Sequence, residues 1–271
     1  MARQPIEVAF ERRGNGGSPL VLLHGIGHRW QAWEPVLDAL AARHDVIAVD
    51  LPGFGRSPLL PDGRGYDMPS AVRACADIFE DMALGRPHVA GNSLGAVISL
   101  ELASRGLVSS ATALAPAGFW TPRDRAWALR VLSLIRMSGR SPSWLLTPLV
   151  RNRLFRMASG CLLYGHPSRM TAEIMLADLA SMVGATAFDL VADAGRDYVF
   201  ASPPPSVPVT IAWGTRDRIL WPRQARRAAA LLPRARHVWL HRAGHVPMID
   251  EPDQVASLIL STCASEAARA A

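Results

Sequence analysis

Runs of four or five consecutive apolar residues punctuate the first 115 positions, separated by glycine-rich turns and amphipathic stretches. Leu20-Val21-Leu22-Leu23 and Val46-Ile47-Ala48-Val49 contain no polar position. A strand with one wet face would alternate, whereas an unbroken run marks a parallel strand covered on both sides. Strands are therefore predicted at Pro19–Leu23, Asp45–Val49, 88–91 and Ser110–Leu114, with residues 6–11 as an outer strand. Helical spacing between them places helices at about 31–43, 69–84 and 94–105. Strand and helix in alternation predict an α/β fold with a doubly wound, mostly parallel sheet.

The texture changes between residues 119 and 200. Strand-like runs disappear, and helical patterns broken by Pro142, Pro148 and Pro167 replace them. Residues 126–137 are apolar almost all round, and residues 144–157 mix Leu145, Leu146, Leu149, Val150, Leu154 and Phe155 with three arginines. Nine arginines between 119 and 169 face one acid, Asp124. Two readings stand: an ordinary helical insertion with solvated arginines, or a basic amphipathic surface that meets a membrane. Ser202-Pro203-Pro204-Pro205 returns the chain to strand texture at 207–213 and Arg236–Leu240, with a helix at 222–232 between them. A last helix at 252–262 leads into an alanine-rich tail predicted to fray. The expected organisation is a core of residues 1–118 and 201–271 interrupted by a helical cap at 119–200.

Composition narrows the chemistry. The sequence of 271 residues has 29 basic side chains, every one an arginine. Without lysine there is no Schiff base, no pyridoxal phosphate linkage and no phosphate-loop lysine. The net charge of +6 comes with no nucleic-acid recognition motif, so no nucleic-acid partner is expected. Cys75, Cys161 and Cys263 are scattered, which fits a reducing compartment and gives neither a disulfide framework nor a thiolate metal site. No secretory signal and no run of 18 apolar residues is evident, so the expectation is a cytoplasmic protein without stable membrane insertion. An oligomer is compatible with the pattern.

Candidate catalytic residues follow the predicted strands. Gly91-Asn92-Ser93-Leu94-Gly95 lies where a strand turns into a helix. Gly-x-Ser-x-Gly in that context is a nucleophile elbow, lifting the serine hydroxyl above the sheet at a helix N-terminus. Serine needs a base held in one tautomer. His245, in Arg242-Ala243-Gly244-His245-Val246-Pro247 after the last strand, can supply it. Asp217 in Trp213-Gly214-Thr215-Arg216-Asp217 can orient that base, and the alternative position, Ala115-Pro116-Ala117-Gly118, holds no acid. Acyl transfer also needs two backbone N–H groups for the developing oxyanion. Leu94 offers one, and Ile26 in His24-Gly25-Ile26-Gly27 offers the other.

These segments, together with Asp50-Leu51-Pro52-Gly53-Phe54-Gly55-Arg56-Ser57 and Glu251-Pro252, resemble the α/β-hydrolase superfamily, in particular its lidded serine hydrolases. The resemblance implies a Ser93–Asp217–His245 triad and no cofactor or metal. The short N-terminus departs from the family and is expected to leave the sheet one strand short of the usual eight. A serine at the elbow resembles esterases rather than dehalogenases or epoxide hydrolases. Gly25, Trp30, Asn92, Trp120 and Val246 are candidate substrate-binding residues, and Trp33, Trp127 and Trp144 add aromatic surface near the entrance or in the cap. The expected activity is hydrolysis of a small hydrophobic ester, a small-molecule substrate with an apolar acyl group. Alternatives are a meta-cleavage carbon–carbon hydrolase, with Arg169 or another cap arginine clamping a carboxylate, and a cofactor-free perhydrolase. A ligand receptor on the same fold is the alternative outside enzymes.

Overall fold

The computed structural model describes residues 4–61 and 63–270. Seven strands form one sheet: β1 (Phe10–Arg13), β2 (Pro19–Leu23), β3 (Asp45–Val49), β4 (His88–Asn92), β5 (Ser110–Leu114), β6 (Val209–Gly214) and β7 (Arg236–Leu240). Their order is β1-β3-β2-β4-β5-β6-β7. Only β1 runs antiparallel, pairing Phe10 with Val49 and Arg13 with Val46. The four central strands β2, β4, β5 and β6 are buried along almost their whole length; β2 is continuously apolar for that reason, while β4, β5 and β6 also bury His88, Asn92, Ser110, Thr112 and Thr210. The edge strands behave differently: β1 and β7 carry exposed positions, including Arg12, Arg236 and His237, and charged edges resist further strand addition.

Alternation along β2 divides the core. Val21 and Leu23 pack into one apolar layer with α2 (Met68–Asp81) and α3 (Leu94–Ser104), while Leu20 and Leu22 pack into the other with α1 (Glu34–Ala41) and α11 (Pro252–Ala270). Helix α3 is buried at every position from Gly95 to Ala103, so it carries no polar stripe.

Between β5 and β6 lie α4 (Pro122–Gly139), α5 (Ser143–Arg151), α6 (Arg153–Gly160), α7 (Ala172–Gly184) and α8 (Phe188–Ala194). Two short elements complete the chain, α9 (Arg223–Leu231) between β6 and β7 and α10 (Pro247–Asp250) before α11. Helix α4 begins four residues before the predicted start because Thr121 and Asp124 form a reciprocal capping box. The pattern read as one helix over 144–157 is two, split where Asn152 leaves helical geometry and its side chain accepts from Leu154 N and Phe155 N.

Two termini depart from expectation. The outer strand lies at Phe10–Arg13 rather than 6–11, because its register is set by pairing with β3 and not by its own weak pattern. The alanine-rich tail continues α11 as helix to Ala270, as alanine's high helix propensity favours.

Candidate active site

The strand order reverses direction between β2 and β4, and such a switch point opens a crevice at the carboxyl ends of the strands. Leu23 of β2 is registered with Gly91 of β4, so the loop 24–27 and the turn at Ser93 emerge side by side. The turn is tight. Ser93 has φ 54° and ψ −108°, and its amide donates to Leu114 O at 2.9 Å. A Cβ on Gly91 would lie 2.1 Å from Gly95 O, and one on Gly95 would lie 2.1 Å from Leu23 O. Both glycines are therefore dictated by backbone passing backbone.

Loop 24–27 is held by a buried histidine. Leu51 N donates to His24 Nε2 at 2.9 Å, so the ring proton resides on Nδ1, which donates to Gly25 O at 2.7 Å. Burial pushes the His24 pKa down to about 3, which keeps the ring neutral. His28 N donates to the same Gly25 carbonyl at 3.1 Å. Two donors on the carbonyl of the Gly25–Ile26 peptide fix that peptide's plane, and with it the direction of the Ile26 N–H. Among the described residues, neither Ile26 N nor Leu94 N donates a hydrogen bond, and both residues line the same cavity as Ser93. Gly25 sits against the turn, where an added Cβ would come 3.3 Å from Ser93 Cβ.

Across the site, His245 Nδ1 meets Asp217 Oδ2 at 2.8 Å, with both side chains almost wholly buried. The other Asp217 oxygen accepts from Ile219 N at 2.9 Å and Leu220 N at 2.8 Å. A carboxylate so fixed accepts the Nδ1 proton and leaves Nε2 as the acceptor. Asn92 Nδ2 donates to His245 O at 2.9 Å and joins the residue before Ser93 to the histidine's backbone. No hydrogen bond joins Ser93 Oγ to His245 Nε2 in this structure, and such bonds commonly tighten only when substrate is bound.

The His245 loop is braced from the inserted helices. His245 N donates to Leu163 O at 2.7 Å. Asp250 Oδ2 accepts from Gly244 N at 2.8 Å and Gly165 N at 2.7 Å, and its Oδ1 accepts from His166 N at 2.8 Å. The segments pass so closely that a Cβ on Gly165 would meet Arg242 O at 1.9 Å. Sequence reasoning missed Asp250 and Leu163. The one local signal was an acid just ahead of Pro252, which any helix start would share.

Ser93, Ile26 and Leu94 line an apolar cavity of about 100 Å³ with Phe54, Tyr66, Trp120, Leu132 and Leu220. Cys75 also lines it, and burial pushes its thiol up to about 12, so it stays protonated near neutral pH. Trp120 Nε1 is tied to Tyr198 O at 2.9 Å. Of the other candidate binding residues, Trp30, Asn92 and Val246 line neither this cavity nor the larger one described below. Trp30 and Val246 pack in the layer of α1 and α11. Trp33 is fully buried in that layer. Arg169 reaches Asp250 O and is absent from both linings.

The sequence model of the alpha/beta hydrolases matches residues 20–258. The chain belongs to the alpha/beta hydrolase family. Among its relatives, this alpha/beta hydrolase is similar to the dihydrolipoyllysine-residue acetyltransferase component of the acetoin cleaving system of Pseudomonas putida, with 28% identity over 264 residues. That match covers 93% of this chain but 65% of the relative, so the chain spans just under two thirds of that protein's length. A shorter match, 40% identical over 98 residues and covering 36% of each chain, is to the pimeloyl-[acyl-carrier protein] methyl ester esterase of Aeromonas hydrophila. Among solved structures, a membrane phospholipase A described as a bacterial virulence factor superimposes with a TM-score of 0.77. It is 25% identical to this hydrolase, and the match covers 97% of this chain and 85% of that one.

Proposed function

We propose that the chain is a serine hydrolase for esters of small hydrophobic acids, with residues 119–200 as a cap over the two parts of the core. The observation that carries this reading is the buried His245–Asp217 pair, fixed in one tautomer, at the same sheet edge as Ser93 and its two unpartnered amides. Ser93 Oγ attacks the ester carbonyl while His245 Nε2 takes its proton, and Asp217 stabilises the imidazolium. Ile26 N–H and Leu94 N–H receive the oxyanion, each such donor contributing about 3 kcal/mol to the transition state. His245 returns the proton to the leaving alcohol, then draws one from water to release the acid from Ser93.

An apolar cavity of about 150 Å³ admits benzene. One of about 100 Å³ fits an acyl group of a few carbons. The match to a pimeloyl-[acyl-carrier protein] methyl ester esterase supports the same reading. The carbon–carbon hydrolase alternative calls for an arginine that clamps a substrate carboxylate, and no arginine lines this cavity. The three free cysteines fit a reducing cytoplasm.

A fluorophosphonate probe should label Ser93, and a nitrophenyl ester series should give its highest kcat/KM at short acyl chains. Ser93→Ala should lower kcat by about 10⁶-fold and Asp217→Asn by about 10⁴-fold, with melting temperatures nearly unchanged. Wild-type turnover in Ser93→Ala, or labelling at another residue, would refute the assignment.

A further inference from the structure

The outer surface of the inserted helices is both apolar and cationic. Trp144 and Leu154, exposed at 76% and 75%, are the most exposed large apolar side chains among the described residues. They stand on α5 and α6 with Arg151 and Arg153, next to Arg140 at the end of α4, and all three arginines are exposed. None of the three forms an ion pair within 4 Å of a carboxylate among the described residues. The one acid between 119 and 169, Asp124, is buried and holds Arg223 and Arg227 of the core. The nearby acid is Glu173 at the start of α7, which interacts electrostatically with Arg151 and Arg156.

A second cavity, of about 540 Å³, opens on this face. Trp127, Leu134, Leu145, Leu149 and Phe155 line it and are also exposed, so they form its mouth. Its inner end reaches Gly27 and His28, beside the Ile26 amide, and Leu163, whose carbonyl holds His245 N. The cavity's carboxylate, Asp178, is engaged by Tyr164 Oη at 3.0 Å and by Arg29 at 3.9 Å.

We propose that the face of α5 and α6 docks on an anionic lipid bilayer and that the larger cavity admits a lipid chain from it towards Ser93. Tryptophan and leucine among arginines is the composition of an interfacial surface, where rings sit at headgroup level and guanidinium groups meet anionic lipid. Charge chooses the bilayer over a second copy of this chain, because an isologous dimer would set these arginines against themselves. The mouth then faces hydrocarbon, and an apolar chain enters the larger cavity without crossing water. Delivery to Ser93 rests on the hydrolase reading above; docking does not.

Flotation of the full chain with vesicles tests the docking. It should rise with phosphatidylcholine vesicles containing phosphatidylglycerol, far less with phosphatidylcholine alone, and be released by high salt. The triple variant Arg140→Ser, Arg151→Ser, Arg153→Ser should lower partitioning roughly a hundred-fold. Trp144→Ser should also weaken it, and both should hydrolyse a short nitrophenyl ester at the wild-type rate. Equal partitioning on both lipids, no partitioning, or indifference to both variants would overturn the proposal. So would a dimer in sedimentation that Trp144→Ser dissociates. Vesicle binding with an inert Ser93 would remove the hydrolase reading alone, and ester hydrolysis without vesicle binding would remove the docking alone.

Discussion

Ser93 occupies a backbone region that costs a residue with a Cβ about 1–3 kcal/mol, and the surrounding turn leaves it no other choice. His24, directly after the neighbouring strand β2, is held by burial rather than strain. Its neutral ring joins Leu51 N to Gly25 O, and protonation would turn the acceptor Nε2 into a donor facing a donor. The sign of the pH effect follows. Above 6.5, folded and unfolded chains both carry a neutral His24, and this contribution to stability is fully present. As pH falls from 6.5 towards 3, the unfolded chain takes a proton that the folded one refuses, and stability is lost by up to about 1.4 kcal/mol per pH unit. Denaturant melts between pH 7 and pH 4 should show that slope in the wild type and a shallower one in His24→Gln. Parallel slopes would mean that His24 is protonated in the native state.

At the scale of elements, the close crossing of β2, β4 and α3 creates the site, and Gly95 permits it. Gly95→Ala should cost about 1–3 kcal/mol and lower kcat, because its Cβ would push against Leu23 O and His24 O and separate the Ile26 and Leu94 amides. Gly184→Ala, with nothing within 4 Å of the added methyl, is the control and should be neutral or slightly stabilising. A Gly95→Ala protein as stable and active as Gly184→Ala would show that the crossing has slack. The same crossing explains what was legible beforehand. Parallel strands covered on both faces are mostly apolar, and Ser93 and Asp217 each follow such a strand. His245 instead follows the exposed edge strand β7 and is legible only as a Gly-His loop after the last strand. Strand β1 has no such cover, and its register depends on β3 and on Asp50 N donating to Ala9 O. Residues Val191 and Tyr198 line the cavity at Ser93 without any local pattern, since their place is decided by how the chain returns to the sheet. Tyr198 Oη and Ser202 Oγ both donate to the buried Glu101 of α3, an anchor that no short-range periodicity announces.

Across the whole molecule, the two halves of the sheet are contributed by chain on either side of the inserted helices, and β5 pairs with β6 only once some ninety intervening residues have been spanned. Charged edge strands at both ends leave the sheet closed to further pairing. The insertion is stitched to the His245 loop by Asp250, which serves Gly244, Gly165 and His166 at once. Placement of the His245 ring is consequently an event late in refolding, since its loop is fixed only when residues 163–166 have arrived. Regain of turnover after dilution from denaturant should lag behind recovery of far-ultraviolet ellipticity, and Asp250→Ala should lengthen that delay. Coincident time courses would show that the histidine finds its station unaided.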